Sequence, residues 1–391
     1  MAETLMVKDF NQFGGKHCWT TALKNVFDYH GLHVSEEMLF GLGGGLGFIY
    51  WYMKMMPAPF IGARYGKGVE PLINTCQRIG GDATVIETTS LQKGHDALLK
   101  MLREGKPAVV FVDMAYLPYL ALPEVAHFGG HTVVVYGIEE EKNNVHISER
   151  AAIGLCITID DLKKARNSKF PPFPPKNKLL QITYPQAITN QEKAIRDSIR
   201  ESCDSMLNPP IKNIGLPGMQ KWAGLVLTWP QQFRGLNLFD CLFNTFVYIE
   251  IGGTGGSAFR PMYAQFLREA SSIVNKSKLL EVAEMFEESG KKWSEIAMTA
   301  LPDSWPTLKR IRELSIKKNK IFEEQPPGAL EKMREIGAEI TDILIRKKAA
   351  EEFEELQGQH LVPVLTELRQ KIIKLHEIEK KAFERLNNIV K

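Results

Sequence analysis

Residues 127–149, HFGGHTVVVYGIEEEKNNVHISE, form the stretch of sequence that decides the fold. It contains two short β-branched runs, HTVVVYG at 131–137 and NVHIS at 144–148, separated by charged residues and asparagines. Short valine- and isoleucine-rich runs bounded by turn residues are typical of strands. The pattern therefore predicts a strand that begins with His131 and a second strand that returns alongside it and ends at Glu149.

Three further segments fit the same description and complete a small predicted sheet. They are PAVVFVD at 107–113, LCITI at 155–159 and KLLQITY at 178–184. Segments with apolar residues at helical spacing alternate with these strands. The predicted helices cover 18–30, 35–42, 69–80 and 90–105. The first part of the chain is therefore expected to have both helices and a sheet, which places the protein in the α+β class.

The pattern changes at about residue 190, after which nearly every segment is an amphipathic helix. A chain of 391 residues has room for about two domains of roughly 100–200 residues each. We therefore predict one domain at 1–185 and a helical accessory domain at 190–391. The tail after residue 328 carries oppositely charged pairs four residues apart, and we expect it to pack on the helical body.

Composition and cysteine spacing exclude several functional classes. The net charge is only +3 and is spread along the chain, so no nucleic-acid partner is expected. No run of 18 apolar residues and no basic–apolar leader is present in the sequence, which predicts neither a membrane span nor a secretory signal. The five cysteines are scattered without a CxxC pair. We expect reduced thiols, a cytoplasmic location and no metal or cofactor.

Cys18 is the candidate nucleophile. It follows two glycines, at positions 14 and 15, and opens a predicted helix. The positive end of a helix dipole lowers the pKa of a thiol and so favours the reactive thiolate. Gln12, six residues upstream, could donate its amide N–H to the oxyanion of a tetrahedral intermediate. The alternative is that Cys18 is a small buried apolar residue.

His131 is the candidate base, with Glu149 as the group that orients it. A histidine at the head of a buried strand can point across the sheet edge toward a helix N-terminus. The carboxylate at the end of the next strand could then accept a hydrogen bond from the second imidazole nitrogen. His17 and His127 are rival histidines, and a purely structural histidine or a solvated glutamate is the alternative.

Two glycine-rich segments invite a phosphate-binding interpretation that their spacing does not support. GLGGGLGF at 41–48 is not followed by the Lys-Ser/Thr pair of a P-loop. It also lacks the G-x-G-x-x-G spacing after a strand that marks a dinucleotide-binding site. GGTGGS at 252–257 precedes a helix, and a simple helix connection is the alternative. Residues predicted to contact substrate, with core packing as the alternative, are His17, Gly43, Gly44, Gly45, Tyr50, Tyr119 and Arg260.

The motifs of the first half resemble those of the butirosin biosynthesis protein H family. They are His17-Cys18-Trp19-Thr20-Thr21-Ala22, the segment from Ser35 to Phe48, Leu117-Pro118-Tyr119, and the segment from Gly129 to Gly137. The arrangement is similar to that of the papain-like fold and of its double-glycine leader peptidases. Glu149 stands where the pattern has aspartate. The segment 252–270 resembles the helical domain that accompanies this family.

The resemblance implies an acyltransferase in which Cys18 is the nucleophile and His131 the base. Its expected partners are an acyl carrier protein or other acyl-thioester donor and a small amine acceptor, and a homo-oligomer is possible. Two alternatives stay open at this point. A papain-like peptidase or amidase would use the same residues with water as acceptor, and a non-catalytic binding protein would retain only the fold.

Overall fold

A computed structural model describes residues 3–64, 68–345 and 361–391. It is mixed α/β, with a sheet in the N-terminal region and a mainly helical C-terminal part. The chain divides into two compact units, and each unit is assembled from three segments. The first unit comprises Met1–Leu39, Thr75–Thr189 and Lys317–Ala338, and the second comprises Phe40–Asn74, Asn190–Ile316 and Glu339–Lys391.

The first unit is built on a seven-stranded sheet with antiparallel pairing. Its strands are β1 (Thr4–Met6), β4 (Asp82–Ile86), β5 (Ala108–Val112), β6 (His131–Glu139), β7 (Asn144–Ser148), β8 (Leu155–Thr158) and β9 (Leu179–Thr183). They follow the order β4-β9-β5-β6-β7-β8, and β1 pairs with the far end of β6. The strands β2 (Ile49–Trp51) and β3 (Phe60–Gly62) form a separate hairpin in the second unit.

The helices follow in chain order. They are α1 (Cys18–Tyr29), α2 (Glu36–Leu42), α3 (Glu70–Arg78), α4 (Leu91–Arg103), α5 (Ile159–Asn167), α6 (Gln191–Leu207), α7 (Gly215–Leu225), α8 (Trp229–Gln232), α9 (Leu236–Glu250), α10 (Arg260–Ile273), α11 (Lys278–Ala300), α12 (Pro306–Glu324), α13 (Ala329–Ile345) and α14 (Leu361–Val390). None of these described helices is both long and apolar enough to cross a membrane.

The register of the central strands brings three chain segments to one edge of the sheet. Val112 at the end of β5 pairs with His131 at the start of β6. Val134 pairs with Ser148 at the end of β7, so that Glu149 follows directly beyond this edge. The interior residues of β6 are almost completely buried because helices and loops cover the sheet. The sheet therefore places His131 and Glu149 close to each other.

The predicted helices and strands of the first 185 residues are confirmed, with ends that differ by at most two residues. The segments β1, β2, β3 and β4 were not predicted; β1, β2 and β3 have only three residues each, which is too few to show a strand pattern. The predicted strand at 155–159 ends one residue early. Thr158 caps α5 by accepting a hydrogen bond from the Asp161 N–H at 3.0 Å, and this cap turns the chain into a helix.

The compact units differ from a linear division of the chain. The change at Thr189 lies close to the predicted boundary, but residues 40–74 group with the helical part and residues 317–338 with the sheet part. Local sequence pattern reports helix or strand and carries no information on which distant segments share a core. Part of the predicted helical tail, at 346–360, lies outside the described residues.

Candidate active site

Cys18 is the first residue of α1, and an unexpected carboxylate organises the turn before it. The preceding residue, His17, makes no side-chain cap. Instead the buried Glu36 carboxylate accepts the backbone N–H groups of Lys16 and His17, at 3.0 and 2.9 Å. It also accepts the hydroxyl groups of Thr20 and Thr21, at 2.9 and 3.0 Å. Glu36 therefore fixes the backbone that presents Cys18 at the helix N-terminus.

The sequence analysis did not recognise this role of Glu36. In the sequence, Glu36 follows Ser35, which caps α2 as predicted by accepting the Met38 N–H at 3.0 Å. An acidic residue in the first turn of a helix needs no other explanation. The sequence carried no specific signal for this role, because the hydroxyls of Thr20 and Thr21 could equally have met backbone carbonyls of the preceding turn, as that of Thr20 also does at 3.2 Å.

The Cys18 thiol lies beside the His131 side chain and the backbone N–H of Thr132, and both act on its charge. Cys18 taken as a whole residue is half-buried. Burial alone raises the pKa of the thiol, but His131, the Thr132 N–H and the charge of Arg150 outweigh it and hold that pKa below its ordinary value. The site therefore favours a thiolate.

His131 stands between the thiol and a buried carboxylate. Its Nε2 lies 2.9 Å from Oε1 of Glu149, and both side chains are almost fully buried. This contact leaves Nδ1 for the Cys18 side. Burial lowers the pKa of His131, but the Glu149 carboxylate and the Cys18 sulfur outweigh it and raise that pKa to about 10. The structure thus favours a thiolate–imidazolium pair.

Glu149 is held as an anion by two neighbours that its sequence position does not suggest. The hydroxyl of Tyr119 lies beside its carboxylate, and Nε of Arg150 lies 3.8 Å from Oε1. Burial raises the pKa of Glu149, but His131, Arg150 and Tyr119 together lower it below its ordinary value. Tyr119 was predicted to contact substrate, and in the structure it is a buried partner of Glu149 instead.

Gln12 has contacts other than those predicted for an oxyanion donor. Its Nε2 donates to the carbonyl oxygens of Glu149 at 2.9 Å and Ala151 at 2.6 Å. An amide NH₂ group has two hydrogens, and both are directed at these main-chain acceptors. In this structure Gln12 therefore anchors the segment that follows β7, and a role as oxyanion donor stays a prediction.

Three of the other predicted substrate contacts are packing residues in the structure. His17 is 7% exposed, and its Nδ1 lies 3.4 Å from the Thr20 hydroxyl. The hydroxyl of Tyr50 accepts the indole N–H of Trp229 at 3.2 Å, inside the core of the second unit. Arg260 is completely buried. For Tyr50 and Arg260 the alternative of core packing is the one that the structure supports.

The three glycines predicted to line the cleft lie in the second unit, and all are buried. A Cβ on Gly45 would lie 2.2 Å from the Phe40 carbonyl oxygen. Gly44 has a φ of +66°, and a Cβ there would meet the Glu201 carboxylate at 2.8 Å. Close packing therefore accounts for glycine at both positions. A substrate contact by Gly43, Gly44 or Gly45 stays a prediction.

The residues that the structure brings together thus define a Cys–His–Glu site at the edge of an antiparallel sheet. No group of three or more His, Cys, Asp or Glu side chains among the described residues is arranged to hold a metal ion. A thiolate beside an imidazolium, with an anion behind it, is the arrangement of a cysteine nucleophile and its acid–base partner.

Comparison with known families agrees with this class. Residues 17–150 match the family model described as butirosin biosynthesis protein H, N-terminal. Residues 160–325 match a domain of unknown function, DUF4872. The N-terminal match is thus to a family named for butirosin biosynthesis, in agreement with the resemblance of the motifs in the first half of the chain. No curated protein matches the chain.

Proposed function

We propose that this protein is an acyltransferase that moves an acyl group from a thioester donor to an amine through Cys18. The observation that carries the proposal is the placement of Cys18 at a helix N-terminus beside the His131 imidazole, with the buried Glu149 behind that imidazole. A papain-like arrangement of the sheet and α1 is part of the same proposal. The family match supports it, since the matched N-terminal model is that of a butirosin biosynthesis protein.

The first half-reaction forms an acyl-enzyme. The Cys18 thiolate attacks the carbonyl carbon of the donor thioester, and the C–S bond to the donor then breaks. The departing donor thiolate takes a proton from the His131 imidazolium. The backbone N–H of Cys18 lies in the first turn of α1, where it has no acceptor within the helix. It is therefore placed to donate to the oxyanion while the tetrahedral intermediate exists.

The second half-reaction releases the product. A neutral amine attacks the Cys18 thioester, and His131 accepts a proton from the attacking nitrogen. The bond to Cys18 then breaks, which forms the amide and restores the thiolate–imidazolium pair. Glu149 stabilises the imidazolium throughout, because its carboxylate lies 2.9 Å from Nε2. The donor is proposed to be a carrier-protein thioester and the acceptor a small amine.

The decisive experiment compares wild type with Cys18→Ala, using a phosphopantetheine-type acyl thioester and a primary amine. We expect a stable thioester on Cys18 in the absence of amine, detected by intact mass, and amide after amine is added. Cys18→Ala should lower amide formation by about a thousand-fold or more. Equal acylation by wild type and Cys18→Ala would refute the nucleophile assignment.

A matched control is available in the same unit. Cys156 is exposed, its sulfur lies 3.5 Å from Nδ1 of His146, and Nε2 of His146 lies 3.0 Å from the Glu139 carboxylate. Burial and Glu139 raise the pKa of this thiol, in contrast to Cys18. Cys156→Ser should therefore retain full activity. Release of free acid instead of amide, with Cys18 still required, would assign the site to a peptidase or amidase.

A further inference from the structure

A second histidine–carboxylate pair stands near the site and has no part in the mechanism above. Nδ1 of His127 lies 2.9 Å from Oδ2 of Asp113, which is completely buried. The same carboxylate accepts the Ser168 hydroxyl at 2.6 Å and the Phe128 backbone N–H at 3.0 Å. It also accepts the N–H of Ala115 at 3.2 Å. Asp113 is therefore rigidly held, and it fixes Nδ1 of His127 as a donor.

This pair lies at the same edge of the sheet as His131. Asp113 directly follows Val112, and Val112 is the strand partner of His131. His127 precedes His131 by four residues, so at most about 14 Å separates their Cα atoms. The intervening carbonyl of Gly130 accepts the indole N–H of Trp19, the neighbour of Cys18, at 2.9 Å. The two imidazoles thus flank one short loop that is tied to the nucleophile's helix.

The outer nitrogen of His127 is available to solvent or substrate. The His127 side chain is 16% exposed, and no described residue forms a hydrogen bond to its Nε2. The ring is stacked on Phe170 at a centroid distance of 3.4 Å and lies 5.6 Å from the ring of Tyr116. Because Nδ1 donates to Asp113, neutral His127 presents an unprotonated Nε2. Aromatic faces beside it favour a nearby cation.

We infer that His127, held by Asp113, is the group that deprotonates the ammonium form of the amine acceptor. The inference rests on the proposed function and adds to it the class of acceptor, a primary alkylammonium. An alkylamine is almost entirely protonated near neutral pH and has no lone pair with which to attack. An ammonium loses two protons on the way to an amide, one before it attacks and one from the attacking nitrogen. His131 accepts the second of these, so the first needs a separate base before aminolysis begins.

The step balances without a further reactant. An N–H bond of the ammonium breaks, the proton moves to Nε2 of His127, and the freed lone pair attacks the Cys18 thioester. After transfer, His131 holds the proton taken from the attacking nitrogen, and the imidazolium of His127 returns its proton to solvent. Asp113 stabilises that imidazolium in the way that Glu149 stabilises the imidazolium of His131.

The test measures amide formation from the Cys18 acyl-enzyme with two acceptors, a primary alkylamine and hydroxylamine. Hydroxylamine is largely unprotonated near neutral pH and needs no prior deprotonation. His127→Gln and Asp113→Asn should each slow alkylamine transfer by about a hundred-fold, the usual size of a general-base contribution. Both variants should leave hydroxylamine transfer and the rate of acyl-enzyme formation unchanged.

His33 provides the matched control, because its Nδ1 lies 3.2 Å from Asp28 but the side chain is 79% exposed. His33→Gln should behave as wild type with both acceptors. An equal loss for both acceptors in His127→Gln, or no loss for either, would overturn the inference while leaving the Cys18 mechanism intact. If wild type formed no acyl-enzyme on Cys18, the proposed function would fail first, and the inference with it.

Discussion

Each of the two units contains a buried glutamate, and their surroundings differ in kind. Glu379 in the second unit receives two bonds of 2.7 Å from Arg260, one of 2.6 Å from Ser289 and one of 2.8 Å from Trp293. Glu149 in the first unit faces the titratable imidazole of His131 at 2.9 Å. The first carboxylate pairs with a permanent cation, and the second with a group that can lose its charge.

The difference teaches how to separate a structural ion pair from a chemical one. A guanidinium stays protonated in proteins, so the Arg260–Glu379 pair has a single charge state. It also supports an unusual backbone, since Nη1 of Arg260 donates to the Ala258 carbonyl at 2.7 Å. Ser257, Ala258 and Phe259 all have positive φ, at +51°, +53° and +68°. The Glu149 cluster instead ends at the Cys18 thiol, for which we propose a chemical role.

The largest effect is expected at the buried ion pair of Arg260 and Glu379. Arg260→Met leaves the Glu379 carboxylate buried without its cation, and we expect the free energy of unfolding to fall by about 3–5 kcal/mol. Urea unfolding followed by circular dichroism measures it. The surface pair of Arg268 and Glu287, at 2.8 Å, is the control, and Arg268→Met should cost no more than about 1 kcal/mol. Equal losses would contradict the contrast between the two glutamates.

The next largest effect is expected at the Cys18–His131 pair. It should be visible in how the rate of Cys18 alkylation depends on pH. The Cys18 thiolate forms as pH rises through its lowered pKa, and the imidazolium is lost only near pH 10. Iodoacetamide should therefore alkylate Cys18 at mildly acidic pH, where an ordinary thiol does not react. Glu149→Gln removes the charge that raises the pKa of His131. The alkylation rate on the acidic side should fall about tenfold for each unit by which the thiol pKa rises.

The surface cluster on β6, β7 and β8 gives this experiment its control. Glu139 faces His146, which contacts the Cys156 sulfur, so the cluster contains the same three residue types as the site. Glu139→Gln should leave the pH profile of Cys18 alkylation unchanged. A Glu149→Gln profile that matched wild type would show that the carboxylate does not set the charge of the pair.

The smallest effect is expected at Tyr119. Tyr119→Phe removes the hydroxyl beside Glu149 that helps to lower the pKa of that carboxyl, and we expect an effect of about 1 kcal/mol, the size usual for one polar neighbour of a buried group. The alkylation rate at mildly acidic pH should fall a few-fold, and less than in Glu149→Gln. Tyr29→Phe, which removes a 2.9 Å bond to the Gly105 carbonyl, is the control and should not change it. A larger loss in Tyr119→Phe than in Glu149→Gln would contradict this ordering.

The sequence predicted the helix and the strands that carry the site residues, but not all of the contacts that these residues make. Cys18 at a helix start and His131 at a strand start follow from apolar spacing, and the structure brings both beside Glu149. Gln12 and Tyr119 were assigned contacts that differ from those observed. The number of residues between two positions does not determine which acceptor an amide or a hydroxyl meets, because that acceptor comes from a distant part of the chain.

The sequence alone determined the helices and strands of the first half and its match to the butirosin biosynthesis protein H family, because periodicity and short motifs are local properties. Which polar groups contact each buried charged side chain was decided only by the tertiary structure. Glu36 binds the turn before Cys18, Tyr119 faces Glu149, and Arg260 is buried against Glu379. Burial multiplies the strength of such contacts, and burial is a consequence of how segments far apart in sequence pack together.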